Sequence, residues 1–89
     1  MDTHPDALTI HPDILFRQVD DEGVVVDQRQ PEVMVINGQA VKILELIRET
    51  GSRKEVLAAL VRTYNGDPAT ITSDLDEFLV TLREREMLV

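Results

Sequence analysis

The sequence predicts an α+β fold, a three-stranded antiparallel sheet followed by three helices, and three observations predict it. Between Ile14 and Ile36 apolar and polar residues tend to alternate and valines are frequent, as on a pleated sheet with one face covered. From Ala40 onward the apolar residues recur at intervals of three and four, the spacing of a helix face. The change of rhythm falls inside one stretch, "PEVMVINGQAVKILELI", where Asn37-Gly38 ends the extended half and opens the helical half.

In "ILFRQV" Leu15, Arg17 and Val19 alternate with Phe16 and Gln18, a first strand. "DDEG" predicts a turn in which Gly23 takes a positive φ, and "VVVD" is β-branched enough for a second strand, so the pair reads as a hairpin. "QRQP" makes the second turn. Pro31 has no N–H for a ladder bond and belongs at the entrance to the third strand, "EVMVI". Period two divides that strand: Met34 and Ile36 are assigned to the core, Val33 and Val35 to the other face. A meander this small leaves a sheet edge whose unpaired N–H and C=O groups can receive an extended partner.

Asn37 is suited to cap the first helix, where Ala40, Ile43, Leu44 and Ile47 form one face, and Gly51 closes it. Ser52 and Glu55 have the spacing of a capping box, and Val56, Leu57, Leu60, Val61 and Tyr64 carry the stripe of a second helix. Asp67-Pro68 combines a cap with a first-turn proline. The third helix then follows with Ile71, Leu75, Phe78, Leu79 and Leu82 on one face as far as Arg85. "MLV" returns to the core. Three strands and three helices, with a Gly-Asp-Pro turn between the last two, make the arrangement winged-helix-like.

Eighty-nine residues hold one small domain, assigned to residues 13–89 with residues 1–12 as a flexible tail. The absence of cysteine excludes disulfides, thiolate nucleophiles and thiolate metal sites. No apolar run approaches the roughly 20 residues of a membrane span, and "MDTHPDALTI" lacks the layout of a secretory signal, so a cytoplasmic protein without membrane contact is expected. The tail repeats His-Pro-Asp at residues 4–6 and 11–13. The same tripeptide serves co-chaperone J-domains between two long helices, whereas Pro12 precedes strand-like sequence. His4 and His11 in a mobile tail make a poor metal site, so a solvated tail is the reading adopted.

Charge is unevenly spread over the net −8. Residues 1–32 hold eight carboxylates against Arg17 and Arg29, and residues 38–64 hold five Lys/Arg against three Glu. From Asp67 to Glu86 there are six carboxylates against Arg83 and Arg85. In winged-helix DNA readers the last helix enters the major groove. Here that helix is acidic, and phosphate binding needs Lys and Arg, so a nucleic-acid partner is not expected.

The segments "LFR" through "PEVMVINGQAVKILELI", "VLAALVRTYNG" and "SDLDEFLVTLREREMLV", in this order and spacing, resemble the PqqD family. These are small peptide-binding proteins of pyrroloquinoline quinone biosynthesis, together with the precursor-recognition elements of other ribosomally made peptides. The resemblance covers about residues 13–89. It is strongest at Ile36-Asn37, at Ala40 with Ile43-Leu44, and in the string Asp74, Leu75, Phe78, Leu79, Leu82. It implies a cleft between the third strand and third helix into which a precursor's leader adds as a strand. Glu32, Val33, Met34, Val35 and Ile36 would offer backbone pairing, and Asp74, Leu75, Phe78 and Leu82 side-chain contacts. The partners implied are the precursor (leader) peptide and a modifying enzyme such as a radical SAM maturase. "VVVDQRQPEVMV" is less aromatic than the family pattern and Glu86 stands where glycine is frequent, so a lasso-peptide or other relative fits as well.

Catalysis has little to stand on. The only histidines lie in the tail, no Ser-His or Cys-His pair or Gly-rich phosphate loop occurs, and no cofactor or metal is implied. The reading is a non-catalytic peptide chaperone. Its alternative is a small interaction domain whose free edge forms a homodimer.

Overall fold

The computed structural model describes residues 6–89. Strands β1 (Ile14–Val19), β2 (Glu22–Asp27) and β3 (Glu32–Asn37) form an antiparallel sheet in the order β1-β2-β3, followed by α1 (Gly38–Thr50), α2 (Arg53–Thr63) and α3 (Pro68–Glu84). This is the α+β architecture expected from the sequence.

The register places Phe16, Val25 and Met34 side by side on the inner face. There they join Ile43, Leu44 and Ile47 of α1, Val56 and Leu60 of α2, and Ile71, Leu75, Leu79 and Leu82 of α3 in one core. Met34 and Ile36 pack against that core while Val33 and Val35 are each 64% exposed, so the period-two assignment holds. α1 buries more than its expected stripe: Val41 and Leu46 are buried beside Ile43, Leu44 and Ile47. It is covered on two sides, by the sheet and by α2.

The helix ends follow their residues. The Asn37 side chain accepts from Ala40 N–H at 2.8 Å, Gly51 closes α1 at φ 66°, and the Asp67 side chain accepts from Ala69 N–H at 3.1 Å. The first hairpin differs from expectation. Asp20, not Gly23, takes the positive φ (56°), and Gly23 lies within β2 between Gln18 and Ile36. Glycine is required there for a different reason: a Cβ would overlap the Cγ2 of Val41, because α1 crosses the sheet at that point.

Residues 6–12, expected to belong to a flexible tail, pack against the domain. Leu8 is only 3% exposed and belongs to the core. Its N–H donates to the Gly51 carbonyl at 2.9 Å, while His11 N–H donates to Met87 O and Val89 N–H to Thr9 O, both at 2.8 Å. Asp6 completes the cap of α2. Its carboxylate accepts from Lys54 N–H at 2.8 Å and from the Ser52 hydroxyl, and Ser52 itself accepts from Glu55 N–H at 3.3 Å. The segment is therefore stitched to the C-terminus and to a helix start, a long-range pairing with no local periodic signal. His4 of the first His-Pro-Asp lies outside the described residues. In the second, His11 Nδ1 accepts from Asp13 N–H at 3.0 Å and forms a turn.

Candidate functional site

β3 is a sheet edge, and the pairing pattern says which of its groups are free. Gln28 N–H donates to Asp13 O at 2.9 Å, which makes Asp13 and Gln28 a hydrogen-bonded pair in the β1–β2 register. In an antiparallel ladder such pairs alternate with non-bonded ones. Glu22, Val24 and Val26 therefore turn their backbone groups toward β1, and Gly23, Val25 and Asp27 toward β3. On β3, Glu32, Met34 and Ile36 bond to β2. Val33 and Val35 direct N–H and C=O outward.

Beside this edge runs α3. Its groove-side stripe is Asp74, Phe78 and, at the C-cap, Arg85, at i, i+4 and i+11, one face of a helix. Two depressions mark the seam. One, of about 210 Å³, is lined by Asn37, Gln39, Ala40, Ile43, Asp74 and Phe78. The other, of about 130 Å³, is lined by Val25, Asp27, Gln30, Glu32, Met34, Arg85 and Met87. The first lies at the C-terminal end of β3 and the second at its N-terminal end, so α3 and β3 run in opposite directions along one groove.

Of the residues expected at the site, the structure brings Asp74 and Phe78 to the first depression and Glu32 and Met34 to the second, with Val33 and Val35 on the free edge between. Phe78 is half-buried and also packs against the core. Leu75 and Leu82 are 0% exposed; they hold α3 in the core and line neither depression. Sequence reasoning missed Gln39 and Ala40 at one end and Arg85 and Met87 at the other. Arg85 falls on the Asp74–Phe78 stripe and is accessible to a helix-period search; Met87 lies past the helix and carries no such signal.

The electrostatics of the groove are local. At its second depression Asp27 accepts from Arg29 Nε at 2.9 Å, Nη2 at 3.0 Å and backbone N–H at 2.9 Å. The Arg29 guanidinium holds the Asp27 carboxyl below the usual carboxylate range against the opposing effect of burial, and Asp27 raises Arg29 in return. On the far side of α3, Asp76 receives a bidentate pair from Arg53 at 2.9 Å, which ties α3 to α2. Asp74 and Arg85 form no ion pair among the described residues.

Two other surfaces are prominent. The outer sheet face carries Leu15, Val19, Val24, Val26, Val33 and Val35, interrupted by Arg17. A cavity of about 410 Å³ lies between residues 8–12, β1 and α1, where the Arg48 guanidinium stands 4.6 Å over the Phe16 ring. Among the described residues no group of His, Asp or Glu is arranged to hold a metal ion, and no helix is long and apolar enough to cross a membrane.

No curated protein sequence matches the chain. The solved structure of TbiB1 in complex with the TbiA(beta) leader peptide is similar to it, with a TM-score of 0.79 and 25% sequence identity over 89% of this chain and 92% of that one. The family model described as coenzyme PQQ synthesis protein D (PqqD) matches residues 22–88, the span from β2 to the end of the groove. With the sheet order, the three helices and the edge groove in place, the chain belongs to the PqqD family.

Proposed function

We propose that the protein is a recognition element rather than a catalyst: it binds the leader of a ribosomally made precursor peptide and presents it to a modifying enzyme. The observation that carries this reading is the free edge of β3 lying beside the groove-side stripe of α3. A guest strand along that edge pairs with Val33 and Val35, whose two N–H and two C=O groups offer about four main-chain hydrogen bonds. Each contributes about 1 kcal/mol net, too little alone for tight binding, so side chains entering the two depressions must supply the rest and the selectivity. The TbiB1 complex supports the reading, because there a protein of similar fold and length holds a leader peptide.

The modifying enzyme is the second partner, and a radical SAM maturase is the type that the family resemblance favours. The enzyme supplies the chemistry and this chain the peptide. The 64% exposure of Val33 and Val35 favours one competing reading, in which the same edge pairs with a second copy.

An amide-resolved NMR titration of the labelled protein with the precursor encoded beside its gene tests both. Saturable shifts centred on residues 32–37 and 74–85 are expected at micromolar peptide, which corresponds to about 8 kcal/mol. Spectra unchanged at millimolar peptide, with concentration-dependent broadening of the protein alone, would replace leader binding with self-association.

A further inference from the structure

The geometry points to a leader segment of the form basic-x-large apolar-x-x-x-apolar, bound antiparallel to β3; this deepens the proposed function and rests on it. Parity is the first argument. Guest residues opposite Val33 and Val35 use their backbone on the edge and turn their side chains to the outer sheet face. Only residues opposite Glu32, Met34 and Ile36 turn inward toward α3. Contacts made inside the groove are therefore separated by an even number of residues.

Distance decides which even number. Along β3 the inward residue next to Asn37 of the first depression is Ile36, and it stands four residues from Glu32 in the second, about 13 Å in a strand. Along α3 the separation is seven residues from Phe78 to Arg85 and eleven from Asp74 to Arg85, or about 11 to 17 Å in a helix. Two strand residues span about 7 Å and six about 20 Å, both outside that bracket. The two anchors stand at i and i+4.

Size and charge then assign them. The depression at Phe78, Ala40 and Ile43 is the larger and takes the bulkier apolar side chain. Asp74 closes its outer end one helical turn from Phe78, about 6 Å along α3, nearly the rise of two strand residues. A guest Lys or Arg at i−2 meets that carboxylate. The second depression has Asp27, Gln30, Glu32 and Arg85 on its walls around Val25, Met34 and Met87. Asp27 is already held by Arg29, and with both charge signs present the site takes an uncharged apolar residue over its methionines. The direction follows from the sheet: antiparallel pairing continues the meander and is slightly more stable per residue than parallel pairing.

Selection of binders from a random 12-residue peptide library displayed on phage tests this, with the Val35→Pro variant as counter-selection. That substitution removes an outward N–H and leaves the β2 ladder intact. Sequences enriched on the native protein and lost on Val35→Pro should share an apolar pair at i and i+4 with Lys or Arg at i−2. A synthetic consensus peptide should bind at least tenfold more tightly than the same composition spaced i, i+3. Asp74→Asn should weaken it about twofold to fivefold at low salt only, the range of an exposed ion pair. Edge-dependent binders with no fixed spacing, or with odd spacing, overturn the register while leaving strand addition standing. If no edge-dependent binder emerges and the encoded precursor also fails to bind, the register falls together with the proposed function.

Discussion

Gly23 of β2 and Val41 of α1 meet with no room for a side chain between them: a Cβ on Gly23 would occupy the place of the Val41 Cγ2 and come within 3.1 Å of Ile36 Cγ1. This contact sets how closely α1 approaches the sheet. Gly23→Ala is expected to destabilise the fold by about 1 to 3 kcal/mol, the usual cost of overpacking. Urea unfolding monitored by circular dichroism measures it, and pairing the change with Val41→Ala should recover part of the loss, since the clash is with that side chain.

The alternation of bonded and free residues on β3 separates binding from folding. Val35→Pro should give a folded protein with little or no affinity for the peptide, because the edge loses a donor and gains a ring. Met34→Pro breaks a bond to β2 on the inner face and should abolish cooperative thermal unfolding. If Val35→Pro unfolds and Met34→Pro does not, the pairing pattern derived for the sheet is inverted.

Asp27 makes stability depend on acid. Its carboxyl titrates below its ordinary value because of Arg29, so the folded state binds its proton more weakly than the unfolded chain does. The resulting stabilisation is complete above the unfolded carboxylate value of about 4 and disappears as pH falls through the lower folded value. Asp27→Asn should therefore be less stable than the native protein at pH 7, with the gap closing below about pH 4. A gap that stays constant from pH 7 to pH 2 in denaturant titrations would remove the Asp27–Arg29 pair from the account.

Leu8 gives the N-terminal segment a measurable weight. Leu8→Ala should cost about 2 to 5 kcal/mol, as for other buried leucines, whereas Thr9→Ala, at an exposed position, should cost little. Thermal unfolding of the two variants compares them directly. Equal melting temperatures would return residues 6–12 to the status of a tail.

What was legible in the sequence is what local chemistry dictates. Asn37, Ser52 and Asp67 cap helices because a short polar side chain before an apolar stripe has few other uses, and Pro31 marks a strand entrance because it lacks a donor. The split of Met34 and Ile36 from Val33 and Val35 follows from period two alone. Three features were not legible. Gly23 looked like a turn residue, since the contact with Val41 that demands it is eighteen positions away in sequence. The prolines around Leu8 suggested a free tail, because its partners at Gly51 and Met87 are remote. The role of α3 was half visible: Leu75 and Leu82 stood out by hydrophobicity and proved to be interior, whereas Arg85, which lines the second depression and lies on the Asp74–Phe78 stripe, was read only as the end of the helix.

The hydrogen bond from Val89 to Thr9 joins residues eighty positions apart, and with the His11–Met87 bond it ties the first described turns to the last. Closing a loop of that length costs about 4 kcal/mol of chain entropy when nothing else has formed. The cost falls to almost nothing once sheet and helices have brought the ends together. The clasp is thus a late event in folding and an early one in unfolding, and its amides should exchange with solvent faster than those of β2 or α1 while the rest of the domain stays closed.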